Sequence, residues 1–274
     1  MARLLRITAL CLLCAVLGLA APAQAEVLTI GGTGSSGPLV QLLFAAFQKQ
    51  APDVTLRLAH PPLGSNGALK GLAAGRIDLA VMGRPMQAGE TAPFGQRFDL
   101  ADTPFVMASK DGQRRSGFTL EELARVYDGS LAKWDSGAPI RLVLRGSYDS
   151  DTLLLRTMSP ALDRAVPLAN TRPGMADAAN DLDTVAVLAK TAGSLGPTTL
   201  GLLTTLGVNL VVHPLNGVAP SMANLKSGKY PWRKSLFVVL PRNPSPAATA
   251  FAAFLRSATA QAIMRQNDYL PAAQ

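Results

Sequence analysis

Hydroxyl, amide and guanidinium groups cluster in three polar loops, each of which follows an apolar run and precedes a helical pattern. The loops are Gly32–Gly37, Gly64–Gly67 and Arg145–Thr152. Glycines let a ligand approach the backbone closely, and the free N–H groups at a helix start point towards an anion. Because ligands of open α/β sheets bind at the carboxyl ends of the strands, these loops predict a site for a small anion.

Two arginines are candidates to supply positive charge to this site. Arg145 follows an apolar run at the predicted end of a strand, and the hydroxyls of Ser150 and Thr152 come after it. A guanidinium donates two parallel hydrogen bonds to an oxyanion, and hydroxyls satisfy its remaining oxygens. The alternative for Arg145 is an ordinary salt bridge. Arg84, at another strand end, either binds the anion or braces its own loop.

Other site chemistries fit these residues poorly. Gly32–Gly37 has the glycine spacing of a dinucleotide-binding loop, but the next strand ends near His60 without the carboxylate that binds a ribose. The same glycines would also serve an ordinary tight turn. A serine nucleophile needs a neighbouring base, yet His60 and His213 each precede a proline outside any triad pattern, where loop or surface roles are expected. Two isolated histidines also make no metal site. We therefore expect a binding protein rather than an enzyme, with no cofactor and no metal.

The N-terminus has the parts of a secretory signal peptide. Two arginines precede the apolar run Ile7–Leu19, and the small residues Ala23–Ala25 form a cleavage site. The run is shorter than the roughly 18 residues of a spanning helix, which disfavours an uncleaved anchor. Cys11 and Cys14 lie inside this segment and lack a lipoprotein-type cleavage pattern. We expect removal of residues 1–25, leaving a soluble, cysteine-free protein in the periplasm.

The composition argues against nucleic-acid binding. The formal net charge is +8, and without the two arginines of the signal peptide 24 basic side chains face 18 acidic ones, an excess of +6. This modest excess favours anionic ligands. Aromatic residues make up only 5% of the chain, which leaves few side chains on which bases could stack.

Strands and helices alternate along the chain, which predicts a mainly parallel sheet flanked by helices. The pattern predicts helices over Leu39–Lys49, Ala68–Ala74 and Asp177–Thr191, and one helix over Pro246–Arg265. Thr119, with Glu122 three residues later, has the spacing of a capping box.

The crossings between two domains are predicted from charge and extended runs. Thr103–Ser109 is an extended run, the charged segment Lys110–Gly117 follows it as one crossing, and Ser235–Leu240 is the other. Trp134 is expected to pack in the core of the second domain.

Six segments then follow one another in an order typical of one family. The chain resembles the phosphate ABC-transporter substrate-binding proteins, which are type II periplasmic binding proteins. No single segment is decisive, but the series is specific and spans nearly the whole chain after residue 25. The segments are Gly32–Pro38, Gly64–Pro85, Leu120–Trp134, Pro139–Thr152, Gly193–Leu200 and Asn216–Pro231.

This resemblance implies an α/β fold of two lobes, each a mainly parallel sheet flanked by helices, joined by two crossing strands. Lobe I would comprise residues 26–107 and 236–274, and lobe II residues 108–235. A monomer would capture an inorganic oxyanion, phosphate first of all, between the lobes and deliver it to the membrane permease of an ABC transporter. The alternatives are the same fold binding tungstate, molybdate or sulfate, or serving as an exported signalling or adhesion module.

The resemblance also implies which residues bind the ligand. The family's positions fall on Ser36 and Gly37, on Ser65, on Arg145, and on the triplet Ser150–Thr152. With the polar residues selected above, the candidate ligand-binding set is Gly34, Ser35, Ser36, Gly37, Ser65, Asn66, Arg84, Arg145, Ser150, Asp151 and Thr152.

Two positions depart from the family's pattern. Relatives carry an aspartate that accepts the proton of phosphate where this chain has Gly83, and a glycine where it has Asp151. A carboxylate next to an anion is unfavourable unless a proton lies between them. The hypothesis is that Asp151 replaces the missing acceptor. If instead Asp151 points away from the anion, selectivity for phosphate is in question.

Overall fold

The computed structural model describes residues 25–111, 116–172 and 175–273. The predicted signal peptide lies outside these residues apart from Ala25, and so does the middle of the predicted crossing Lys110–Gly117. Within the three ranges, no helix combines the length and the apolar character that a membrane crossing requires.

The described strands belong to one connected sheet, in the order β2-β1-β3-β9-β4-β7-β5-β6, with β8 and β10 paired to β4. The strands are β1 (Glu26–Gly32), β2 (Val54–Leu58), β3 (Leu79–Met82), β4 (Phe94–Ser109), β5 (Arg141–Arg145), β6 (Ala176–Ala178), β7 (Ser194–Thr199), β8 (Val211–His213), β9 (Arg233–Pro241) and β10 (Leu270–Pro271).

Helices cover this sheet and connect its strands. They are α1 (Gly37–Phe47), which follows a 3₁₀ turn (Gly34–Ser36), α2 (Gly64–Ala73), α3 (Leu120–Asp128), α4 (Ser150–Thr157), α5 (Pro160–Ala169), α6 (Asp181–Lys190), α7 (Leu200–Leu206), α8 (Met222–Lys226), α9 (Pro246–Leu255) and α10 (Ala258–Gln266).

The sheet has a parallel unit at each end and an antiparallel pair in the middle. β1 pairs in parallel with β2 and β3, and β5 pairs in parallel with β6 and β7. The long strands β4 and β9 pair antiparallel with each other and connect the two units. This arrangement confirms the predicted two-lobed α/β fold with two crossing strands. We call the unit around β1–β3 lobe I and the unit around β5–β7 lobe II. The predicted lobe boundaries, between 107 and 108 and between 235 and 236, fall inside β4 and β9 and stay a prediction.

Aromatic side chains anchor the core of each lobe. Beside β1, the ring of Phe47 packs edge-on against that of Phe251, with their centroids 5.2 Å apart. Beside β5, buried Trp134 stacks on His213. This confirms the predicted core position of Trp134. The expectation that His213 has a loop or surface role is wrong, because the residue is buried in β8 and its Nε2 is bonded to Ser109.

Three predicted helix boundaries were wrong for local reasons. The segment predicted as the polar loop Gly64–Gly67 forms the first turn of α2, so its N–H groups belong to a helix start. The predicted helix over Pro246–Arg265 is two helices, because Ser257 caps α10 by accepting from the Ala260 N–H. The helix predicted from Asp177 begins at Asp181, since β6 occupies the preceding residues. The capping box at Thr119 is confirmed.

Candidate functional site

The starts of four helical segments, two from each lobe, converge on one cavity of about 210 Å³. We call this cavity the interlobe cleft. Its wall includes Gly34 of the 3₁₀ turn, Ser65 at the start of α2, Ser150 at the start of α4, and Asp181 at the start of α6. Each helix start carries partial positive charge from its unpaired N–H groups. The cleft therefore has the electrostatics of an anion site before any side chain is considered.

The two lobes differ in how these helix starts are capped. In lobe II, the Asp149 carboxylate caps α4, and the Asn180 side chain caps α6. In lobe I, no described side chain caps the 3₁₀ turn or α2. Gly64 begins α2 with a φ of 64°, a left-handed conformation that suits glycine. The lobe I helix starts thus keep backbone donors available for a ligand.

Six of the candidate ligand-binding residues line the cleft, and five do not. Those that line it are Gly34, Ser65, Asn66, Arg84, Arg145 and Ser150. Ser36 and Gly37 line a neighbouring, mainly apolar cavity of about 350 Å³, in which the Ser36 hydroxyl donates to the Thr33 carbonyl at 2.8 Å. Ser35, Asp151 and Thr152 are buried behind these surfaces.

Arg84 is held by its own loop. Its guanidinium donates to both carboxylate oxygens of Glu90, at 2.7 and 2.8 Å, and also to the Asn66 side chain. The hydrogen bonds from Arg84 lower the pKa of Glu90 to about 2. Although Arg84 lines the cleft, most of its donors are thus engaged within lobe I.

Arg145 is the buried cation of the cleft. It ends β5, is 5% exposed, and bonds to Asp149 and, at 3.3 Å, to Thr184. Its Nε has no hydrogen-bond partner among the described residues. Burial alone would lower the pKa of Arg145, but the carboxylates of Asp181, Asp151 and Asp149 outweigh that effect and raise it.

Lys234 is a central residue of the site that the sequence analysis missed. Its side chain is fully buried, and its ammonium bonds to the Asp151 carboxylate, to Ser150 Oγ at 2.9 Å and to Asp181 Oδ1 at 3.5 Å. Burial would lower the pKa of Lys234, but the charges of Asp151 and Asp181 raise it. One signal was available, because β9 alternates and Lys234 shares the parity of its buried residues, such as Leu236.

Asp181 was also missed, and it joins the two lobes. Its carboxylate accepts a hydrogen bond from Thr33 Oγ1 of lobe I at 3.0 Å and pairs with Arg145 at 3.7 Å. Burial would raise the pKa of Asp181, but Lys234 and Arg145 overcome that effect and lower it. From the sequence, Asp181 looked like an ordinary acidic residue in a helix.

Gly83 makes room for Lys234. A Cβ at position 83 would lie 2.6 Å from Lys234 Cε, so no larger residue fits without displacing the lysine. The Gly83 N–H donates to Ser65 Oγ at 3.0 Å, which places the buried lysine directly behind the start of α2. The space beside Gly83 therefore holds a cation.

Asp151 has partners other than the cleft. It is 1% exposed, its Oδ1 bonds to Lys234, and its Oδ2 lies 3.8 Å from Arg145 Nη1. Burial raises the pKa of Asp151 to about 6, against the opposing effect of Lys234. Direct acceptance of a ligand proton by Asp151 stays a prediction, and the carboxylate is placed to act through Lys234 and Arg145.

The comparisons with known proteins agree with this architecture. A family model described as a PBP superfamily domain matches residues 19–259. Among solved structures, a phosphate ABC transporter substrate-binding protein with bound phosphate from Clostridium perfringens has a TM-score of 0.76 and 16% identity, with coverage of 90% of this chain and 100% of that one.

Two further structures show how widely the fold is shared. An ABC-type phosphate transport receptor from Vibrio cholerae has a TM-score of 0.66 and 17% identity, over 90% of this chain and 100% of that one. A reduced form of OxyR from N. meningitidis has a TM-score of 0.62 and 12% identity, with coverage of 90% of this chain and 99% of that one. At these identities the matches show the fold alone. No curated protein matches the chain by sequence.

Proposed function

The chain belongs to the PBP superfamily, and on this premise we propose that it is an exported solute-binding protein that captures an inorganic oxyanion for an ABC transporter. One observation carries the proposal: four helix starts and the buried cation Arg145 converge on a cavity of about 210 Å³ between the lobes. Backbone N–H groups and a guanidinium are the donors that bind tetrahedral oxyanions in proteins. The chain acts as a binding protein rather than as an enzyme.

Phosphate is the ligand we propose first. The structures from Clostridium perfringens and Vibrio cholerae are described by their binding or transport of phosphate, which supports the choice by analogy. The fold alone does not select the ligand, since OxyR shares it. The size of the cleft and its polar lining favour a small anion over a large organic ligand.

We assign the contacts with the anion to the residues that line the cleft. The uncapped start of α2 donates through the backbone of Ser65 and Asn66, and Arg145 donates from the opposite lobe. The residues that make these contacts are held in place from the buried side by Ser36, Gly37 and Thr152. In this proposal Arg84 braces the loop and adds positive charge at the rim.

Export and delivery complete the proposal. Cleavage after Ala25 would leave Glu26 as the first residue, and β1 begins at Glu26, so the strand stays whole. The mature protein would act in the periplasm as a monomer and present its loaded, closed form to a membrane permease.

Calorimetric titration of the mature protein with phosphate, sulfate, molybdate and tungstate tests this function. We expect saturable binding of at least one oxyanion, with phosphate the tightest. Arg145→Ala should weaken every anion by about tenfold or more, because charge-assisted hydrogen bonds contribute about 1.5–3 kcal/mol. Arg156→Ala is the matched control, since Arg156 is a half-buried arginine of α4 that pairs with Asp163 away from the cleft. Failure of all four anions to bind would overturn the proposal.

A further inference from the structure

Four buried side chains at the base of the cleft form a closed ring of alternating charge. Lys234 and Arg145 each lie within 4.0 Å of both Asp151 and Asp181. The Arg145 guanidinium is 3.8 Å from the Asp151 carboxylate and 3.7 Å from the Asp181 carboxylate. All four residues are at most 5% exposed. We call them the charge ring. With every group ionised the ring is neutral.

A fifth charge makes this buried cluster negative. Asp149 bonds to Arg145 at the cleft side of the ring, and its side chain is 19% exposed. The three carboxylates therefore outnumber the two cations by one when all five groups are ionised. A dianion that enters the cleft adds two more negative charges where little water screens them. This excess opposes the attraction of the helix starts for the anion, and a positive charge gained at the same time removes it.

We propose that the site gains this charge as a proton, so that one proton from solvent binds to the Asp151–Asp181 pair whenever an anion is captured. The inference rests on the proposed function, since it describes how the same cleft accepts its anion. The proton adds to a carboxylate oxygen, and no other bond forms or breaks. With the proton bound, the five groups are neutral before the anion enters.

Asp151 is the carboxyl group placed to hold the proton. Its Oδ1 accepts from Lys234, whereas its Oδ2 is 3.8 Å from Arg145 Nη1, beyond hydrogen-bond distance. The Asp151 and Asp181 carboxylates both contact Lys234 Nζ, so their negative charges lie close together and favour a proton on one of them. Asp181 also accepts from Thr33 and is held ionised by both cations, so the proton is assigned to Asp151.

The groups around Asp151 reinforce this assignment. Lys234 faces it from β9, Arg145 from β5, Asp181 from α6 and Asp149 from the loop before α4. On the remaining side lies Tyr127 of α3, which is neutral and whose buried hydroxyl has no hydrogen-bond partner among the described residues. Because Asp151 has a pKa of about 6 without an anion, an incoming negative charge raises that pKa through neutral pH.

Sulfate is the probe of choice, because it keeps two negative charges throughout the relevant pH range. Titration of the mature protein near pH 7.5 in buffers of different ionisation enthalpy measures proton uptake directly. The slope of the observed enthalpy against buffer enthalpy should approach one proton per sulfate. Sulfate affinity should also fall by up to about tenfold for each pH unit above about pH 6, the limit for one coupled proton. Phosphate is titrated in parallel above about pH 8, where the dianion dominates.

Asp151→Asn identifies the residue responsible. The variant keeps the shape of the side chain but removes one negative charge, so proton uptake should disappear and affinity should become nearly independent of pH. At about pH 8 the variant should bind sulfate about tenfold or more tightly than the wild type does. Asp163→Asn, the same change at an exposed carboxylate of α5, should behave as wild type.

The outcomes separate this inference from the proposed function. Anion binding by the wild-type protein without proton uptake overturns the inference and leaves the proposed function standing. Uptake that persists in Asp151→Asn overturns the assignment to Asp151. Absence of binding by every anion overturns both. Since the wild-type buffer series needs no variant, the inference is tested even if Asp151→Asn fails to fold.

Discussion

At the scale of single residues, the contact between Gly83 and Lys234 limits what position 83 accepts. Gly83→Ala would place a Cβ 2.6 Å from Lys234 Cε, and the lysine cannot retreat because bonds to Ser150, Asp151 and Asp181 hold its ammonium. Overpacking of this kind costs about 1–3 kcal/mol. Urea unfolding should show that loss for Gly83→Ala, whereas Gly146→Ala, with nothing within 4 Å, should be nearly neutral. Equal stability of the two variants would contradict the tight contact.

Removal of the lysine itself should destabilise the protein in a pH-dependent way. Lys234→Met leaves Asp151 and Asp181 buried with Arg145 as their main counter-charge, and breaking a buried pair costs about 3–5 kcal/mol. The pKa of Asp151 is about 6 and rises further without Lys234, so the folded state retains a proton that the unfolded chain releases. In the variant, stability therefore falls as pH rises from the unfolded-state pKa of about 4 to this raised folded-state pKa, and it levels off above that.

Urea unfolding of Lys234→Met and wild type at about pH 5.5 and pH 8 measures this effect. We expect a larger difference between the two proteins at the higher pH. A difference of the same size at both pH values would show that the lysine acts through packing alone.

At the scale of elements, the Thr119 capping box fixes the start of α3. Thr119 Oγ1 accepts from the Glu122 N–H at 3.1 Å, and the Glu122 carboxylate accepts from the Thr119 N–H at 2.9 Å. Thr119→Ala should reduce the free energy of unfolding by about 1 kcal/mol, as loss of a cap usually does. Thr119→Ser keeps the hydroxyl and should cost much less. Thermal unfolding of both variants distinguishes the two cases, and equal losses would contradict a role for the cap.

The helices and strands also show which parts of the fold can be predicted from the sequence. Alternating apolar runs and caps predicted the strands, the parallel units and the box at Thr119, because these signals are local. The break between α9 and α10 was missed, since an alanine-rich run hides the single cap Ser257. Lys234 and Asp181 were missed because a buried ion pair joins residues 53 positions apart, and local sequence signals carry little information on such pairing.

At the scale of the whole molecule, the cleft lies between the lobes, so ligand binding should change both stability and shape. Thr33 of lobe I bonds to Asp181 of lobe II at the cleft. An anion that bridges the lobes should stabilise the folded protein by about 2.7 kcal/mol at one hundred times its dissociation constant. We expect a higher melting temperature and a smaller radius of gyration in solution scattering with phosphate, and smaller changes for Arg145→Ala at the same phosphate concentration. An unchanged shape at saturating phosphate would indicate a fixed cleft.

The fit of Lys234 into the space beside Gly83 has a consequence for how this chain can diverge. Lys234 belongs to strand β9 and Gly83 to the segment after β3, and the lysine is accommodated only while position 83 lacks a side chain. A descendant that acquired a side chain at position 83 would first have to shorten position 234, and would then leave Asp151 and Asp181 without one of their two shared cations. Substitutions at these four positions should therefore be inherited as a set, with single-step intermediates that are poorly folded.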